Sequence, residues 1–176
     1  MSDTVRQLVV AGVDVPVWAM IDISQRYEPI QATTRRRFLD GGGWQRTTWN
    51  GKLRTVITGS GVIPAGLGEI DYTTSFSLWC VAHRSVQHAS TGILIPSARR
   101  TDTGSTPYGR ALVGDKWIAT DVASIVTDTV NLVAVSGATQ YQVCYFPKIT
   151  VFADPPFEDK PQHGPTFGWS LTAEEV

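Results

Sequence analysis

Short runs of hydrophobic and β-branched residues alternate with turn-forming residues along most of the chain. Runs of this composition favour β-strands, and the glycines, prolines and asparagines between them favour turns. The first example is Ala11-Gly12, which separates two valine-rich segments and predicts a hairpin. No stretch has the spacing of an amphipathic helix between two strands. The pattern therefore predicts an all-β fold, a β-sandwich or barrel of about eight to ten short strands.

Two further turns are predicted in the first third of the chain. Residues 33–39 have strand composition and are followed by Asp40-Gly41-Gly42-Gly43, which predicts a turn or flexible loop. Asn50-Gly51 lies between two strand-like runs, and Asn-Gly in that setting is the strongest short signal for a hairpin. We therefore expect separate strands before and after Asn50-Gly51.

The C-terminal segment has a different composition from the rest of the chain. Residues 154–176 are rich in proline and glycine, which predicts an extended arm that lies on another surface. We accordingly expect a β-sandwich or barrel domain at residues 1–153 and a C-terminal arm at residues 154–176. Within that arm, Phe167 and Trp169 provide aromatic anchors, and Trp169 is predicted to dock on another subunit.

Charge and targeting patterns narrow the possible partners. The chain has 15 basic and 16 acidic residues, a formal net charge of −1, which argues against nucleic-acid binding through bulk charge. Only 18% of its residues are charged, so some surfaces are expected to be covered by neighbours. The N-terminus lacks the pattern of a secretion signal, and no apolar run approaches the roughly 20 residues that cross a membrane. We expect a soluble product of a cytoplasm, without a membrane partner.

The search for catalytic chemistry predicts no enzyme. His83 and His88 are five positions apart, which places them on opposite faces of a strand, and no Gly-x-Ser-x-Gly motif is present. The glycine clusters lack the lysine and helix of a phosphate loop. Cys80 and Cys144 lie in apolar runs and are expected to be free, buried thiols. The sequence thus predicts no catalytic residue, no cofactor and no metal site.

Arginine is the most distinctive charged residue, since it accounts for 11 of the 15 basic positions. In a strand, Arg35 and Arg37 share one face and Arg36 the other. A solvated strand face and a protein interface remain equally good interpretations, because arginine is enriched at interfaces. Residues 97–110 predict an exposed polar loop. The predicted interface residues are Arg35, Arg37, Arg99, Arg100, Phe167 and Trp169.

Residues 25–86 contain a distinctive pattern of turns and aromatic residues: Arg37-Phe38, the glycine-rich turn, Gln45-Arg46-Thr47-Thr48-Trp49, Lys52-Leu53, Ile57-Thr58-Gly59-Ser60-Gly61, Pro64-x-Gly66-Leu67, Ile70-Asp71-Tyr72 and Cys80. The resemblance of this pattern is to the tail proteins of long-tailed bacteriophages. It is strongest toward small distal-tail or baseplate proteins, with tail-tube-like β-barrels next. It covers about a third of the chain, and the residues after about position 90 contribute nothing to it.

The resemblance implies a structural virion protein without catalytic activity. Such a protein would be made in the cytoplasm of the host bacterium and would form a ring, commonly a hexamer, around the tail channel. Its partners would be further copies of itself and the tube and tip proteins, with DNA only passing through the lumen. The tube, terminator and connector of a tail are alternatives. Another is a β-sandwich that binds a carbohydrate or receptor, with Trp44 and Tyr108 stacking on sugar rings.

Overall fold

The computed structural model describes residues 6–159 and 164–176. Strands make up 59% of the described residues, whose only helical segment is a single 3-10 turn at Val17–Ala19. The all-β prediction is therefore confirmed. The strands are β1 (Val9–Val10), β2 (Val13–Asp14), β3 (Asp22–Arg37), β4 (Gly43–Gly61), β5 (Phe76–Trp79), β6 (Arg84–His88), β7 (Gly92–Leu94), β8 (Tyr108–Val113), β9 (Lys116–Thr120), β10 (Val122–Val126), β11 (Thr129–Leu132), β12 (Ala138–Tyr145), β13 (Lys148–Ala153), β14 (Phe157–Asp159) and β15 (Phe167–Glu175).

The chain divides into two compact units. Unit 1 contains the residues up to Asp14 together with Ser77–Ile149, and unit 2 contains Val15–Phe76 and Thr150–Val176. This division differs from the predicted domain at residues 1–153 with an arm at residues 154–176. The C-terminal segment is part of unit 2, because its strands pair with strands of that unit. In neither unit do the described strands close into a barrel.

Unit 1 is built on two antiparallel sheets that share a core. One sheet has the order β6-β12-β8-β9, and the other has the order β10-β11-β7. A buried cluster combines Val130 and Leu132 of the smaller sheet with Ala111 and Val143 of the larger one. The sheets approach so closely that a Cβ at Gly109 would come within 2.4 Å of the Leu132 side chain. This face-to-face packing gives unit 1 the character of a small β-sandwich.

A short hairpin in unit 1 follows the sequence prediction. β1 pairs with β2 and also with the end of β5, where Val10 lies opposite Leu78. The two turn residues, Ala11 and Gly12, both have positive φ angles, 53° and 83°. Positive φ at both central positions is the geometry that a tight two-residue hairpin requires. The hairpin predicted at Ala11-Gly12 is confirmed.

Cys80 and Cys144 of unit 1 form no disulfide, and both are buried, as predicted. The backbone amide of Cys80 donates a hydrogen bond to the Pro147 carbonyl at 3.0 Å, and the thiol of Cys144 contacts the Gln142 amide oxygen at 3.9 Å. Both behave as small apolar side chains of the core.

The part of the chain that the structure describes contains no helical segment with the length and hydrophobicity of a membrane span.

Unit 2 is a sheet in which β15 is a central strand. β3 pairs with β4, β4 pairs with β15, and the other edge of β15 is shared by β13 and β14. Ile57 of β4 and Leu171 of β15 lie opposite each other, and both are fully buried. Within the predicted arm, the residues from Phe167 to Glu175 thus form a strand of the chain's own sheet in unit 2. Its alternation of buried and exposed residues suits a strand with one covered face.

The predicted hairpin at Asn50-Gly51 is not formed, since β4 runs through it without a break. Pairing passes from Ile30 opposite Lys52 to Ala32 opposite Trp49, which leaves Asn50 and Gly51 as a β-bulge. Gly51 has a φ of 84°, a backbone conformation that a bulge accommodates as well as a turn does. The chain reverses instead at the glycine-rich turn after Arg37.

Candidate assembly surface

Strands β3 and β4 extend beyond the sheet of unit 2 as a two-stranded ribbon. β15 pairs with β4 only as far as Arg54, and in the described residues β3 pairs with β4 alone. Residues 31–51, which we call the ribbon, therefore have only each other as strand partners. The ribbon turns at residues 38–42, where the Phe38 amide donates to the Gly42 carbonyl at 2.9 Å. The Asp40 carboxylate accepts a 2.9 Å hydrogen bond from the Gly42 amide and holds this turn.

Large apolar side chains stand exposed on the ribbon. Phe38 and Leu39, which we call the ribbon tip, are 61% and 111% exposed. Trp44 and Trp49 are 42% and 48% exposed, and every residue from 34 to 51 is in the exposed class. Both faces of the ribbon therefore meet solvent in a single chain. A long strand pair of this kind is a template for association unless something covers it.

The ribbon also concentrates unpaired positive charge. It holds Arg35, Arg36, Arg37 and Arg46 against a single acidic residue, Asp40, for a formal charge of +3. Since the whole chain carries −1, the remaining residues carry −4. Within the described residues the four ion pairs lie outside the ribbon. The ribbon's guanidinium groups thus remain free to pair with carboxylates of a partner.

Strand pleating sorts these arginines onto two faces. Arg35 lies opposite Gln45 and donates a hydrogen bond from Nε to the Gln45 Oε1 atom at 3.0 Å. Arg37 shares its face, whereas Arg36 lies opposite Trp44 on the other face. The structure therefore brings together the first two predicted interface residues, Arg35 and Arg37, on one exposed face.

Arg99 and Arg100 occupy different surroundings, within unit 1. Arg100 is only 3% exposed, pairs with Asp102 at 2.8 Å, and donates hydrogen bonds to the carbonyls of Gln7 and Cys80 at 2.8 and 3.0 Å. Arg99 pairs with Asp128 at 2.6 Å, and its side chain is 9% exposed. Both guanidinium groups are used inside the unit, because a buried charge must be paired. The interface role predicted for these two arginines stays a prediction, and the structure shows each with partners inside unit 1.

Trp169 is likewise occupied within its own chain. Its ring is 4% exposed, and its Nε1 atom donates to the Ala19 carbonyl at 2.7 Å. It packs so closely on β4 that a Cβ at Gly59 would lie 2.5 Å from the ring. Trp169 is thus a core residue of unit 2, where the sequence predicted an anchor on another subunit. Phe167, two residues earlier, is half-buried.

Phe167 and Trp169 line a cavity of about 230 Å³ in unit 2. Pro64 and Ala65 complete its apolar wall, while Glu158 and Asp159 of β14 lie at its rim. Both acidic residues are exposed, and neither forms an ion pair within the described residues. Burial and, to a lesser extent, the charge of nearby Glu158 raise the pKa of the Tyr72 hydroxyl. We call this cavity the acidic pocket.

His83 and His88 lie in separate surroundings. The His83 ring contacts the rings of Tyr108 and Phe146 edge-on, with centroids 6.1 Å away in each case. Burial, followed by the charges of nearby arginines, lowers the pKa of His83. His88 lies five residues farther along the chain, where its Nδ1 atom is 2.7 Å from the Ser90 hydroxyl. The described residues contain no cluster of three or more potential metal ligands.

Comparison of the chain with protein-family models, with curated proteins and with solved structures found no match. The assignment of a function therefore depends on the geometry of the chain itself and on the residue pattern of positions 25–86. Among the described residues, the ribbon combines unbroken exposure over residues 34–51 with four arginines outside any ion pair, a form that the folding of a single chain does not explain.

The sequence did not predict two features of the structure, the exposure of the ribbon tip and the acidic pocket. The turn at Asp40-Gly41-Gly42-Gly43 was predicted, but the exposure of Phe38 and Leu39 directly before it was not. The acidic pocket was missed because Glu158 and Asp159 were assigned to an arm. Their proximity to Phe167 depends on the pairing of β14 with β15, for which the sequence offers no signal.

Proposed function

We propose that this protein is a structural subunit of a bacteriophage tail that assembles into a ring around the tail channel. The ring contains six copies and joins the tail tube to the tip complex at the distal end. The protein is an all-β subunit and performs no catalysis. The tube and tip proteins are its other partners, and DNA passes through the lumen. The protein is made in the host cytoplasm and resides in the virion.

The ribbon is the observation that carries this proposal. A two-stranded hairpin is at best marginally stable in water, and this one holds two tryptophans and the ribbon tip exposed. The cross-strand hydrogen bond of Arg35 with Gln45 adds only a few tenths to about 1 kcal/mol. Covering the ribbon with a neighbouring subunit would remove its apolar side chains from water and supply carboxylates to its arginines.

A ring follows if the ribbon of one copy contacts a different surface on the next copy. Such head-to-tail contacts close into a ring when the rotation per subunit is suitable, whereas identical surfaces give a two-fold dimer. The ribbon carries +3 and the remainder of the chain −4, so the ribbon of one copy is attracted to the remainder of another. The resemblance of residues 25–86 to phage tail proteins supports the same assembly.

The second candidate is a carbohydrate-binding module, which the exposure of Trp44 and Trp49 favours. An exposed indole ring can stack on a sugar, as can the half-buried Tyr108 ring to a lesser extent. This candidate predicts a stable monomer with affinity for glycans, and a loss of that affinity when Trp44 is replaced by alanine.

Electron microscopy of the purified full-length protein tests the proposal. We expect closed rings of uniform size with an open lumen, most of them with six-fold symmetry. Isolated monomers, two-fold dimers or open filaments without a lumen would contradict the ring. A monomer that binds a glycan array through Trp44 would support the second candidate in its place.

A further inference from the structure

The ribbon tip and the acidic pocket have complementary chemistry. The tip presents an exposed aromatic ring, Phe38, next to the guanidinium of Arg37 in the sequence. The pocket presents an apolar cavity next to two exposed carboxylates, those of Glu158 and Asp159. Each surface thus places an apolar element beside a charge, and the charges are of opposite sign. Both surfaces lie in unit 2, so every copy of the chain carries both.

The sizes of the two surfaces also match. A cavity of about 150 Å³ in another protein is enough to hold a benzene ring, and the acidic pocket measures about 230 Å³. Trp169 and Phe167 line it, and aromatic rings favour edge-to-face or offset packing with a further ring. A phenylalanine side chain therefore fits the pocket by volume and by chemistry.

We propose that the acidic pocket of one copy receives the ribbon tip of a second copy. Phe38 enters the cavity, and Arg35 and Arg37 pair with Glu158 and Asp159 at its rim. This inference rests on the proposed ring, and it identifies the two surfaces through which neighbouring subunits of the ring contact each other. Because the tip and the pocket are different surfaces, the contact is head to tail.

The acidic rim distinguishes a second copy from a nucleic acid as the occupant. Two carboxylates repel the phosphates of DNA or RNA, whereas they attract guanidinium groups and pair with them in a two-pronged geometry. A contact made only with phosphates would also provide no apolar surface on which the exposed ribbon tip could pack. The occupant that matches both parts of each surface is another copy of this chain.

Charge reversal in the full-length protein tests this docking. E158K/D159K places positive charge at the pocket, and R35E/R37E places negative charge on the ribbon. We expect each double variant to raise the dissociation constant for assembly at least tenfold, measured from the concentration dependence of mass in light scattering. The matched control for E158K/D159K is D115K/D121K, which also replaces two acidic residues by lysine, at two exposed positions of unit 1. It should leave assembly within twofold of the wild type.

The combined variant R35E/R37E/E158K/D159K distinguishes a lost contact from misfolding as the cause of weaker assembly. If the ribbon and the pocket contact each other, exchanging both charges restores attraction, so assembly should return to within a few-fold of the wild type. Phe38→Ala should also weaken assembly at least tenfold. Phe152→Ala is its control, since Phe152 is 51% exposed on β13 of the same unit. Circular dichroism should show the same β signal for every variant.

The outcomes separate this inference from the proposed function. A wild-type ring that both charge reversals leave intact would overturn the docking while the ring proposal stands. Assembly that each reversal weakens but the combined variant does not restore would also overturn the pairing of these surfaces. A monomeric wild type would contradict the ring itself. Binding of DNA to that monomer, abolished by R35E/R37E, would assign the ribbon to nucleic acid.

Discussion

Gly59 and Trp169 lie opposite each other where β4 pairs with β15. A Cβ at position 59 would come within 2.5 Å of the indole ring, so only glycine leaves space for it. The ring is buried, and its single polar atom is satisfied by the Ala19 carbonyl at 2.7 Å. The smallest and the largest side chain are thus a matched pair in the core of unit 2. Neither can change without a shift in its neighbour.

Gly59→Ala is expected to destabilise the protein by about 1–3 kcal/mol, the usual effect of adding atoms to a packed core. Gly43→Ala is the matched control on the same strand. Its Cβ would meet no atom within 4 Å, and its φ is not positive, so we expect a change within about 0.5 kcal/mol. Urea unfolding followed by tryptophan fluorescence measures both. Equal stability of the two variants would show that Trp169 does not pack on Gly59.

Asp102 predicts a specific dependence of stability on pH. Hydrogen bonding from the Arg100 side chain is the main cause that lowers the pKa of Asp102 below its ordinary value, and the Ser105 hydroxyl adds to it. A carboxyl group with a lowered pKa in the folded state stabilises the protein above its ordinary pKa. That contribution is lost as the pH falls through the lowered value.

As the pH falls below about 4, the ordinary pKa of an aspartate, the melting temperature should therefore fall more steeply in the wild type than in Asp102→Asn. At pH 7 the variant should melt lower, because the buried Arg100 loses its charged partner. Asp115→Asn, in an exposed turn, is the control and should follow the wild-type curve. Parallel curves for the wild type and Asp102→Asn would contradict the role assigned to the ion pair.

Among the elements, β15 departs most from the sequence prediction. It pairs with β4 along eight successive residues and with β13 through Val151, Phe152 and Ala153. Its end is held by Arg54, whose Nε donates to Glu174 at 2.8 Å, and by a hydrogen bond from Lys52 to the Val176 carbonyl. A strand with partners on both edges is an integral part of its sheet.

A chain that ends at Ala153 should therefore lose the fold of unit 2. Removing β15 exposes the edge of β4 and the buried side chain of Ile57. We expect reduced β signal in circular dichroism and rapid proteolysis within Val15–Phe76. A control chain that lacks only Val176 should stay folded. A truncated chain with the full-length β signal and protease resistance would restore the interpretation of residues 154–176 as an arm.

The contrast between Ala11-Gly12 and Asn50-Gly51 shows what the sequence can and cannot specify. Ala11 and Gly12 both have positive φ, and in the second dipeptide Gly51 has it; a tight turn and a β-bulge both use such a conformation. Which one forms depends on whether the flanking strands pair with each other, and that is decided by the long partner strand β3. Local patterns thus predict strand content and hairpins with short flanks, but they do not determine the register of a long ribbon.

For the assembly surface too, the sequence predicts local features but not long-range contacts. The exposure of Arg35 and Arg37 follows from their position in a polar strand, and the structure places them on an exposed face. Arg100 has the same residue type in a polar loop, but it is buried because Asp102 and two carbonyls are arranged around it. A single sequence carries no signal of such long-range contacts, so it cannot separate a structural arginine from an interface arginine.

At the scale of the whole molecule, the contacts that stabilise each unit and the side chains proposed for assembly lie in different parts of the chain. The ion pairs of the described residues lie outside the ribbon, whereas the ribbon holds four arginines and several exposed aromatic rings. The ribbon adds little to the core of unit 2, since residues 34–51 are exposed. Its removal should therefore affect assembly much more than stability.

The ribbon can be shortened without disturbing its base. The Phe38–Gly42 hydrogen bond and the alternation of an antiparallel ladder make Thr34 and Arg46 a hydrogen-bonded pair. Such a pair can be joined by a two-residue Asn-Gly turn in place of residues 35–45. The shortened chain loses Arg35, Arg37 and the ribbon tip and should keep the melting temperature of the wild type within about 2 °C.

The most direct test of the assembly is the mass of the full-length and shortened chains in solution, measured by light scattering. The account predicts about six times the 19.2 kDa chain mass, about 115 kDa, for the full-length protein and the mass of a monomer for the shortened one. A full-length monomer at micromolar concentration, or a shortened chain that still forms the large species, would contradict the claim that the ribbon builds the ring.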